Sequence, residues 1–350
     1  MLTVLIFILV ISVLVFVHEL GHFVLAKRAG MKVEEFGFGF PPRLFGIKKG
    51  ETSYSINWIP FGGFVKIMGE DGSQRDDPRS FAAGTLGTRA GVIVAGVVMN
   101  LLFAILLLIL GNGIGLRVGL DDKLTAQAGA KQIQIIQVDE NSPAAQAGLK
   151  MFDEIVGYQA ILEFQSFVTS HRGQEVLINI RRADRSLAVK LTPRANPPPG
   201  QGALGISLAL TGIVKYSWPQ AIKHGVQNAY YITRETAIGY GTVIKNVFAK
   251  GQPGAGLSGP IGIAVVTGQA ARLGFTYLIQ LVALISINLA ILNIIPFPAL
   301  DGGRLLFIII EKLKGSPIPK RVEAAVNAVG FSLLIALMVY VTTQDISKFF

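Results

Sequence analysis

The sequence predicts a polytopic α-helical membrane protein with about four transmembrane helices, a membrane-associated β-hairpin region and one inserted α+β domain. Three observations predict this class. Of the 350 residues, 51% are hydrophobic and 15% are charged, which is too apolar for an ordinary soluble protein. The apolar residues are grouped in blocks of about 20, the length at which a helix crosses a bilayer. Between two of these blocks, residues 115–205 contain runs in which apolar and polar side chains alternate, as in half-buried strands.

The chain divides into seven predicted segments, four of which cross the membrane. The first apolar block lacks a basic leader and a small-residue cleavage site, so we expect it to be retained as a helix. The segments are a first transmembrane helix (1–26), a cytoplasmic-side β-hairpin region (27–88), a second transmembrane helix (89–112), an extracytoplasmic α+β domain (115–205), an amphipathic interfacial segment (206–258), a third transmembrane segment (259–310), and a cytoplasmic loop with the fourth transmembrane helix (311–350).

Basic residues next to the apolar blocks predict the orientation of the chain. Lys27 and Arg28 follow the first block, Arg89 precedes the second, and a basic group around Lys312 separates the third from the fourth. Loops rich in Lys and Arg stay in the cytoplasm. We therefore expect both termini and the inserted domain to lie outside the cytoplasm.

Composition limits the partners and the chemistry. The net charge of +10 is spread over the loops, and no module of interleaved basic and aromatic residues is found. We therefore expect contact with membrane lipid headgroups and not with nucleic acid. The chain contains no cysteine, which excludes disulfides, thiolate metal ligands and a cysteine nucleophile. Any metal ion must be held by His and carboxylate groups.

The region between the first two spans has the pattern of a β-hairpin. Its first run alternates Phe with Gly, the Pro-Pro pair at 41–42 is expected to end that run, and residues 52–58 alternate again. Two interpretations stay open. The hairpin could pack its aromatic side chains on its own surface, or its edge strand could hold an extended substrate by strand addition. In the second interpretation, the substrate-contacting residues are Phe61, Gly62 and Gly63.

Residues 18–22, with the sequence HELGH, bring three ionisable side chains into the first apolar block. Each such side chain costs at least ~2.5–3.5 kcal/mol at the centre of a membrane helix, so a compensating partner is expected. His18 and His22 are four residues apart on one helix face, and Glu19 lies about 100° round from His18. This spacing is typical of a zinc site in which the imidazoles bind the metal and the carboxylate acts as general base.

Two imidazoles need a third protein ligand to hold a catalytic zinc ion. Glu34 and Glu35 follow the first span, but Asp301 is the better candidate. Pro296 and Pro298 break the third apolar block shortly before it, so an unwound chain could turn the Asp301 carboxylate towards the first helix. The alternative is that Asp301 only caps the helix that follows.

The inserted domain resembles a known module. Residues 141–149 (NSPAAQAGL) and 153–156 (DEIV) resemble the PDZ domains of bacterial envelope proteases. The resemblance implies a PDZ-like fold for this domain. If its order is permuted, as in such proteases, the carboxylate-binding backbone amides would come from Leu204, Gly205 and Ile206.

The HELGH sequence and the stretch from Asn293 to the LDG motif at 300–302 resemble the site-2 proteases, the intramembrane zinc metalloproteases of peptidase family M50. The likeness is greatest to their bacterial regulator-of-sigma-E branch, and the SGPIG stretch at 258–262 extends it over nearly the whole chain. It implies zinc on His18, His22 and Asp301, with Glu19 as general base. It also implies that Asn293 contacts the substrate backbone or stabilises the oxyanion. Further candidates for substrate contact are Asn100, Pro296 and Pro298.

The resemblance implies an enzyme of the bacterial cytoplasmic (inner) membrane. Its substrates would be single-pass membrane proteins, such as anti-sigma-factor-like proteins or remnant signal peptides, cut within or near the transmembrane segment in regulated intramembrane proteolysis. A membrane zinc or cation transporter and a catalytically inactive PDZ scaffold are the alternatives. For Asn293 and Asn100 the alternative is hydrogen bonding between helices. The identity of the substrate and the oligomeric state stay open.

Overall fold

The computed structural model describes residues 2–183, 185–250 and 259–349. The chain forms two compact units, one of Met1–Leu110 with Ile222–Phe350 and one of Gly111–Ala221. The helices are α1 (Leu2–Arg28), α2 (Leu86–Ile114), α3 (Asp122–Thr125), α4 (Pro143–Gln146), α5 (Ile161–Ser170), α6 (Trp218–Lys250), α7 (Pro260–Leu273), α8 (Phe275–Ile294), α9 (Asp301–Lys314) and α10 (Lys320–Phe349). The strands are β1 (Val33–Lys49), β2 (Thr52–Ile67), β3 (Leu116–Gly119), β4 (Gly129–Val138), β5 (Glu154–Ile155), β6 (Val176–Arg182), β7 (Arg185–Leu191) and β8 (Ile206–Val214).

Four helices in the described part of the chain are long and apolar enough to cross a membrane, as predicted. They are α1, α2, α8 and α10. The range 259–310, predicted as one transmembrane segment, holds three helices, and of these only α8 has membrane length. The break at the two prolines after α8 was predicted, whereas the separation of α7 from α8 at Gly274 was not.

Strands β1 and β2 pair in the region where a hairpin was predicted, and residues 43–49 form an antiparallel hairpin with 52–57. Residues 35–38 of β1 pair with two segments of β2, 53–56 and 63–66, so the region is more than a two-stranded ladder. The expectation that residues 41–42 end the first strand is wrong, because β1 continues past them to Lys49. The register shifts between Phe40 and Arg43, so the two prolines lie in an irregularity of the ladder. Proline is tolerated at a bulge because no ladder hydrogen bond needs its missing N–H group.

The second unit is built on a six-stranded sheet with the order β3-β8-β4-β5-β6-β7. The predicted end of its domain at residue 205 is wrong. Residues 206–214, assigned to the amphipathic segment, form β8, which pairs with both β3 and β4. The short alternating run in this stretch fits a strand, and the helical spacing begins only after it. The buried core includes Ile133, Ile135, Ile155, Phe164, Ile178 and Ile180.

Helix α6 forms most of the rest of the predicted amphipathic segment. The remaining part of that segment, residues 251–258, lies outside the described residues. This includes Ser258, the first residue of the SGPIG stretch.

We expect Phe164→Ala to loosen the second unit. Phe164 is 1% exposed in the core, and removal of such a ring costs ~3–5 kcal/mol because a cavity remains. Amide hydrogen exchange in the strands, measured on the full chain in detergent, should accelerate by about two orders of magnitude. Leu162→Ala on the same helix is the control, because Leu162 is 75% exposed. Equal exchange rates in the two variants would contradict the prediction.

Candidate metal centre

Helices α1 and α2 cross closely at the level of the HELGH sequence. A Cβ atom on Gly21 would overlap the backbone of Ala95. A Cβ atom on Gly96 would lie 2.5 Å from His22 Nε2 and 2.7 Å from His18 Cε1. Glycine at these two positions therefore lets the helices approach and leaves the space that the two imidazole rings fill. Both histidines are buried.

The side chains of His18, His22 and Asp301 meet, although Asp301 lies far along the chain. His18 Nε2 is 2.9 Å from Asp301 Oδ2, His22 Nε2 is 3.3 Å from the same oxygen, and the two Nε2 atoms are 3.2 Å apart. Ligand atoms at ~2.0–2.1 Å from a tetrahedral zinc ion are about 3.3–3.4 Å from one another. The donor types and their spacing therefore fit a zinc ion, with two neutral imidazoles and one carboxylate as ligands.

Each imidazole also has a partner on α2 at its other ring nitrogen. His22 Nδ1 is 2.8 Å from the backbone oxygen of Val92, to which it can donate its proton. His18 Nδ1 is 3.4 Å from the side-chain amide of Asn100. An outer partner of this kind fixes the ring orientation and the tautomer of a metal-binding histidine.

The loop after α8 explains how Asp301 reaches α1. Helix α8 ends at Ile294, because Pro296 has no N–H group and its ring hinders further helix. The first turn of α9 then folds back so tightly that a Cβ atom on Gly302 or Gly303 would overlap the backbone of the loop. Asp301 is the first residue of α9, and its carboxylate faces the two imidazoles. The N-cap position belongs to Leu300, so the alternative of a capping aspartate is not what the structure shows.

Two further contacts hold this loop and α9. Asn327 on α10 accepts a hydrogen bond from Ala299 N (3.1 Å), where the backbone has a φ of +72°. Arg304, one turn after Asp301, forms an ion pair with Glu70 (2.6 Å) in the turn that follows β2. Sequence reasoning missed both contacts, because their partners are distant in the chain and no local pattern marks them.

Glu19 lies beside the three ligand candidates and contacts the hairpin. Its Oε2 accepts a hydrogen bond from Val65 N of β2 (3.2 Å). The hairpin follows α1 towards its N-terminus, where Ser12 donates to the Pro60 oxygen and Gly62 N lies 3.4 Å from Ser12 Oγ. One side of α1 therefore contacts α2 through its histidines, and another side contacts β2 through Glu19.

The other acidic candidates for the third ligand are engaged in the hairpin. Glu35 bonds Arg43 and Ser55. Glu34 pairs with Lys66 at 2.9 Å, and this hydrogen bond raises the pKa of the Lys66 ammonium group. The structure groups Asp301 with the two histidines and includes neither glutamate in that group.

The residues predicted to contact substrate are distributed over the two units. In the first unit Asn293 is partly buried in the last turn of α8, and Pro296 and Pro298 lie in the loop before Asp301. Asn100 is fully buried, whereas Phe61 is 46% exposed, next to the buried glycines 62 and 63.

In the second unit, Gly205 lies just before β8 with Leu204 and Ile206 on either side. Its N–H group already donates to the oxygen of Gly202 (3.0 Å), and the Leu204 oxygen accepts from Ala144 N (3.1 Å). Carboxylate binding by residues 204–206 stays a prediction.

The fold and the site together define a class of protein. The chain is a multi-pass membrane protein in which two histidines and an aspartate share a metal-sized space, with a glutamate beside them. This is the donor set of a metal-dependent hydrolase.

Comparison with known proteins identifies the family to which this chain belongs. The family model described as peptidase family M50 matches residues 6–337. The chain is 33% identical to the zinc metalloprotease RasP of Geobacillus kaustophilus, over 98% of this chain and 97% of the relative. It is 31% identical to the zinc metalloprotease RasP of Oceanobacillus iheyensis, over 100% of both chains. It is 29% identical to the regulator of sigma-W protease RasP of Bacillus subtilis, over 99% of both chains.

The chain therefore belongs to peptidase family M50, and the resemblance to the site-2 proteases is confirmed. It is a zinc metalloprotease, and zinc is its cofactor. The family assignment favours the protease over the transporter and the inactive scaffold.

We expect Gly96→Ala to weaken zinc binding by at least about tenfold, because the new methyl group would occupy the space of the two imidazole rings. Zinc content per folded protein, measured by metal analysis after equilibration with a chelator, checks this. Gly91→Ala is the matched control on the same helix, since its Cβ atom would meet only Leu25 Cδ2 at an ordinary 3.6 Å. Full zinc content in the Gly96 variant would show that this close crossing does not shape the centre.

Proposed function

We propose that this protein hydrolyses a peptide bond within or near the transmembrane segment of single-pass membrane proteins. The observation that carries the proposal is the group of His18, His22 and Asp301 with Glu19 beside it, on helices of membrane length. Catalytic groups at that level act on a peptide bond that lies in or close to the bilayer. The proposed ligands are His18, His22 and Asp301, and the proposed general base is Glu19.

The chemistry is divided between the metal and the chain. When bound, zinc acts as a Lewis acid that polarises a carbonyl oxygen and makes water acidic enough to lose a proton near neutral pH. Glu19 accepts that proton and later donates it to the leaving amine. Its contact with Val65 N holds one carboxylate oxygen, which restricts the carboxylate to a fixed orientation. Asn293 contacts the substrate backbone or the oxyanion in this proposal.

The substrate must be extended before it can be cut. A peptide carbonyl in a helix is already hydrogen-bonded, so the substrate helix has to unwind locally, and residues of low helix propensity near the cut favour this. We propose that the hairpin, including Phe61, Gly62 and Gly63, holds the unwound segment by strand addition. Val65 N donates to Glu19 and Gly62 N contacts Ser12 Oγ, so this part of β2 lies against α1, and a segment held by the hairpin would lie close to Glu19.

The location, orientation, domain type and substrate class of the protein are also part of this proposal. We place it in the bacterial inner membrane, in contact with anionic lipid headgroups, with both termini and the sheet domain outside the cytoplasm. The sheet and the helix that Ser142 caps support a PDZ-like domain, and residues 204–206 would bind a carboxylate there. Anti-sigma-factor-like proteins and remnant signal peptides are the proposed substrates. The name of the Bacillus subtilis relative, a regulator of sigma-W protease, supports the first class.

Glu19→Gln is expected to abolish cleavage while zinc stays bound. The amide cannot accept a proton from water, and loss of a general base lowers the rate by ~10²–10⁴-fold, while the three metal ligands are unchanged. The assay measures cleavage of a purified single-span substrate in detergent, alongside the zinc content. Glu34→Gln is the control and should cleave normally. Unchanged cleavage by the Glu19 variant would remove Glu19 from the mechanism, and zinc flux through protein in liposomes would favour the transporter.

We expect Asp301→Asn to lose zinc and activity together. A neutral amide is a much weaker zinc ligand than a carboxylate, so the variant should hold zinc at least about tenfold less tightly. Chelator treatment of the unaltered protein should likewise stop cleavage, and added zinc should restore it. Asp345→Asn is the control, because Asp345 is a buried aspartate of the same unit whose carboxylate bonds Gly262 N on α7 and does not belong to the group of His18, His22 and Asp301. Zinc retained by the Asp301 variant would exclude it as a ligand.

A further inference from the structure

Asn100 is a buried asparagine with an unusual hydrogen-bonding situation. It is 0% exposed, and its side-chain Nδ2 faces His18 Nδ1 at 3.4 Å. Its Oδ1 has no hydrogen-bond partner among the described residues. Buried amide oxygens in folded proteins nearly always have a partner, so this oxygen requires an explanation.

The tautomer of His18 decides which atom of the amide should face its ring. Its Nε2 atom faces Asp301 and His22, and a metal can bind that atom only through its lone pair. The ring proton of a neutral, zinc-binding His18 is then on Nδ1, which becomes a donor. With the amide oriented as it is, one donor would face another donor.

Rotation of the amide by 180° removes the contact between two donors. The two orientations of an asparagine side chain differ only in the exchange of its oxygen and nitrogen atoms. After the exchange, Oδ1 lies where Nδ2 lies now and accepts the proton of His18 Nδ1. The oxygen then has a partner and the two donors no longer meet, while the amide nitrogen takes the position that Oδ1 holds now.

The partner of His22 also lies on α2, so this helix contacts the Nδ1 atom of both imidazole rings. The backbone oxygen of Val92 faces His22 Nδ1 at 2.8 Å. Val92, Gly96 and Asn100 are spaced by four residues, so they form one stripe on α2. With the amide rotated, this stripe offers an acceptor to each imidazole, with a glycine between them where the rings need room.

We infer that Asn100 is a positioning residue of the metal centre: its side-chain oxygen accepts a hydrogen bond from His18 Nδ1 and holds His18 in the tautomer that offers Nε2 to zinc. The inference rests on the proposed zinc ligands. It replaces the substrate contact predicted from the sequence, because Asn100 has no exposed surface with which to touch a substrate.

The test compares three variants of the full chain in detergent by their zinc dissociation constants, measured by competition with a chromophoric chelator. Asn100→Leu keeps similar volume but removes the acceptor, and loss of an outer partner of a zinc ligand weakens metal binding by ~10–100-fold. Asn100→Asp keeps an acceptor at the same place, so its constant should stay within about threefold of the unaltered protein or become tighter. Asn288→Leu is the control, because the hydrogen bonds of this amide are to Tyr240 and to the Leu284 oxygen.

Rescue by aspartate separates a hydrogen-bond acceptor from a packing role. Equal weakening by leucine and aspartate, or equal zinc affinity in the leucine variant and the unaltered protein, would overturn the inference. If the leucine variant is not monodisperse, Asn100→Ala removes the acceptor without adding a branched side chain. His18→Ala serves as the reference for the zinc site itself. If that variant still binds zinc at full affinity, the proposed ligand set fails, whatever the Asn100 variants do.

Discussion

The contact between two imidazoles on α1 and one carboxylate at the start of α9 is the constraint on which the membrane unit depends. Ionisable groups in apolar surroundings are costly unless they compensate one another or share a metal ion. Here the three ligand atoms lie within 3.3 Å of one another, and the compensating partner comes from the other end of the chain. The packing of α1 against α2, the break after α8 and the tight start of α9 all serve to bring these atoms together.

The polar residues of α1 point in two directions, which correspond to the two proposed tasks of metal binding and proton transfer. His18 and His22 lie on one face, towards α2 and α9, whereas Glu19 is turned by about 100° towards the hairpin. The proposed metal ligands thus lie on helices. The proposed base, Glu19, accepts a hydrogen bond from a backbone N–H group of β2, the strand proposed to bind substrate. A displacement of the hairpin would therefore change the orientation of Glu19 without changing the zinc ligands.

Features that depend on a local pattern of residues could be predicted from the sequence. The four spans, the hairpin and the grouping of His18 with His22 follow from hydropathy and spacing. Asp301 could be selected because it was the acid next to a proline break in an apolar block. The end of the sheet domain was misplaced, because β8 is a short strand whose role depends on pairing with β3 and β4. The contacts of Gly96 and Asn100 with the histidines could not be derived from spacing alone, because each depends on how closely two helices cross.

The position of Asp301, the proposed third ligand, depends on a loop that both α9 and α10 contact. Gly302 and Gly303 let the start of α9 fold against the loop, and Gly330 of α10 lies so close to Pro298 that a Cβ atom there would overlap it. Among the residues of α10 whose burial is described, only Gly330 and Asp345 are buried, so this helix packs mainly through a few specific contacts. One of these contacts, from Asn327 to Ala299 N, is two residues from Asp301. Because α10 buries so little surface, its displacement would cost little packing energy, yet it would release the backbone that presents the carboxylate to the imidazoles.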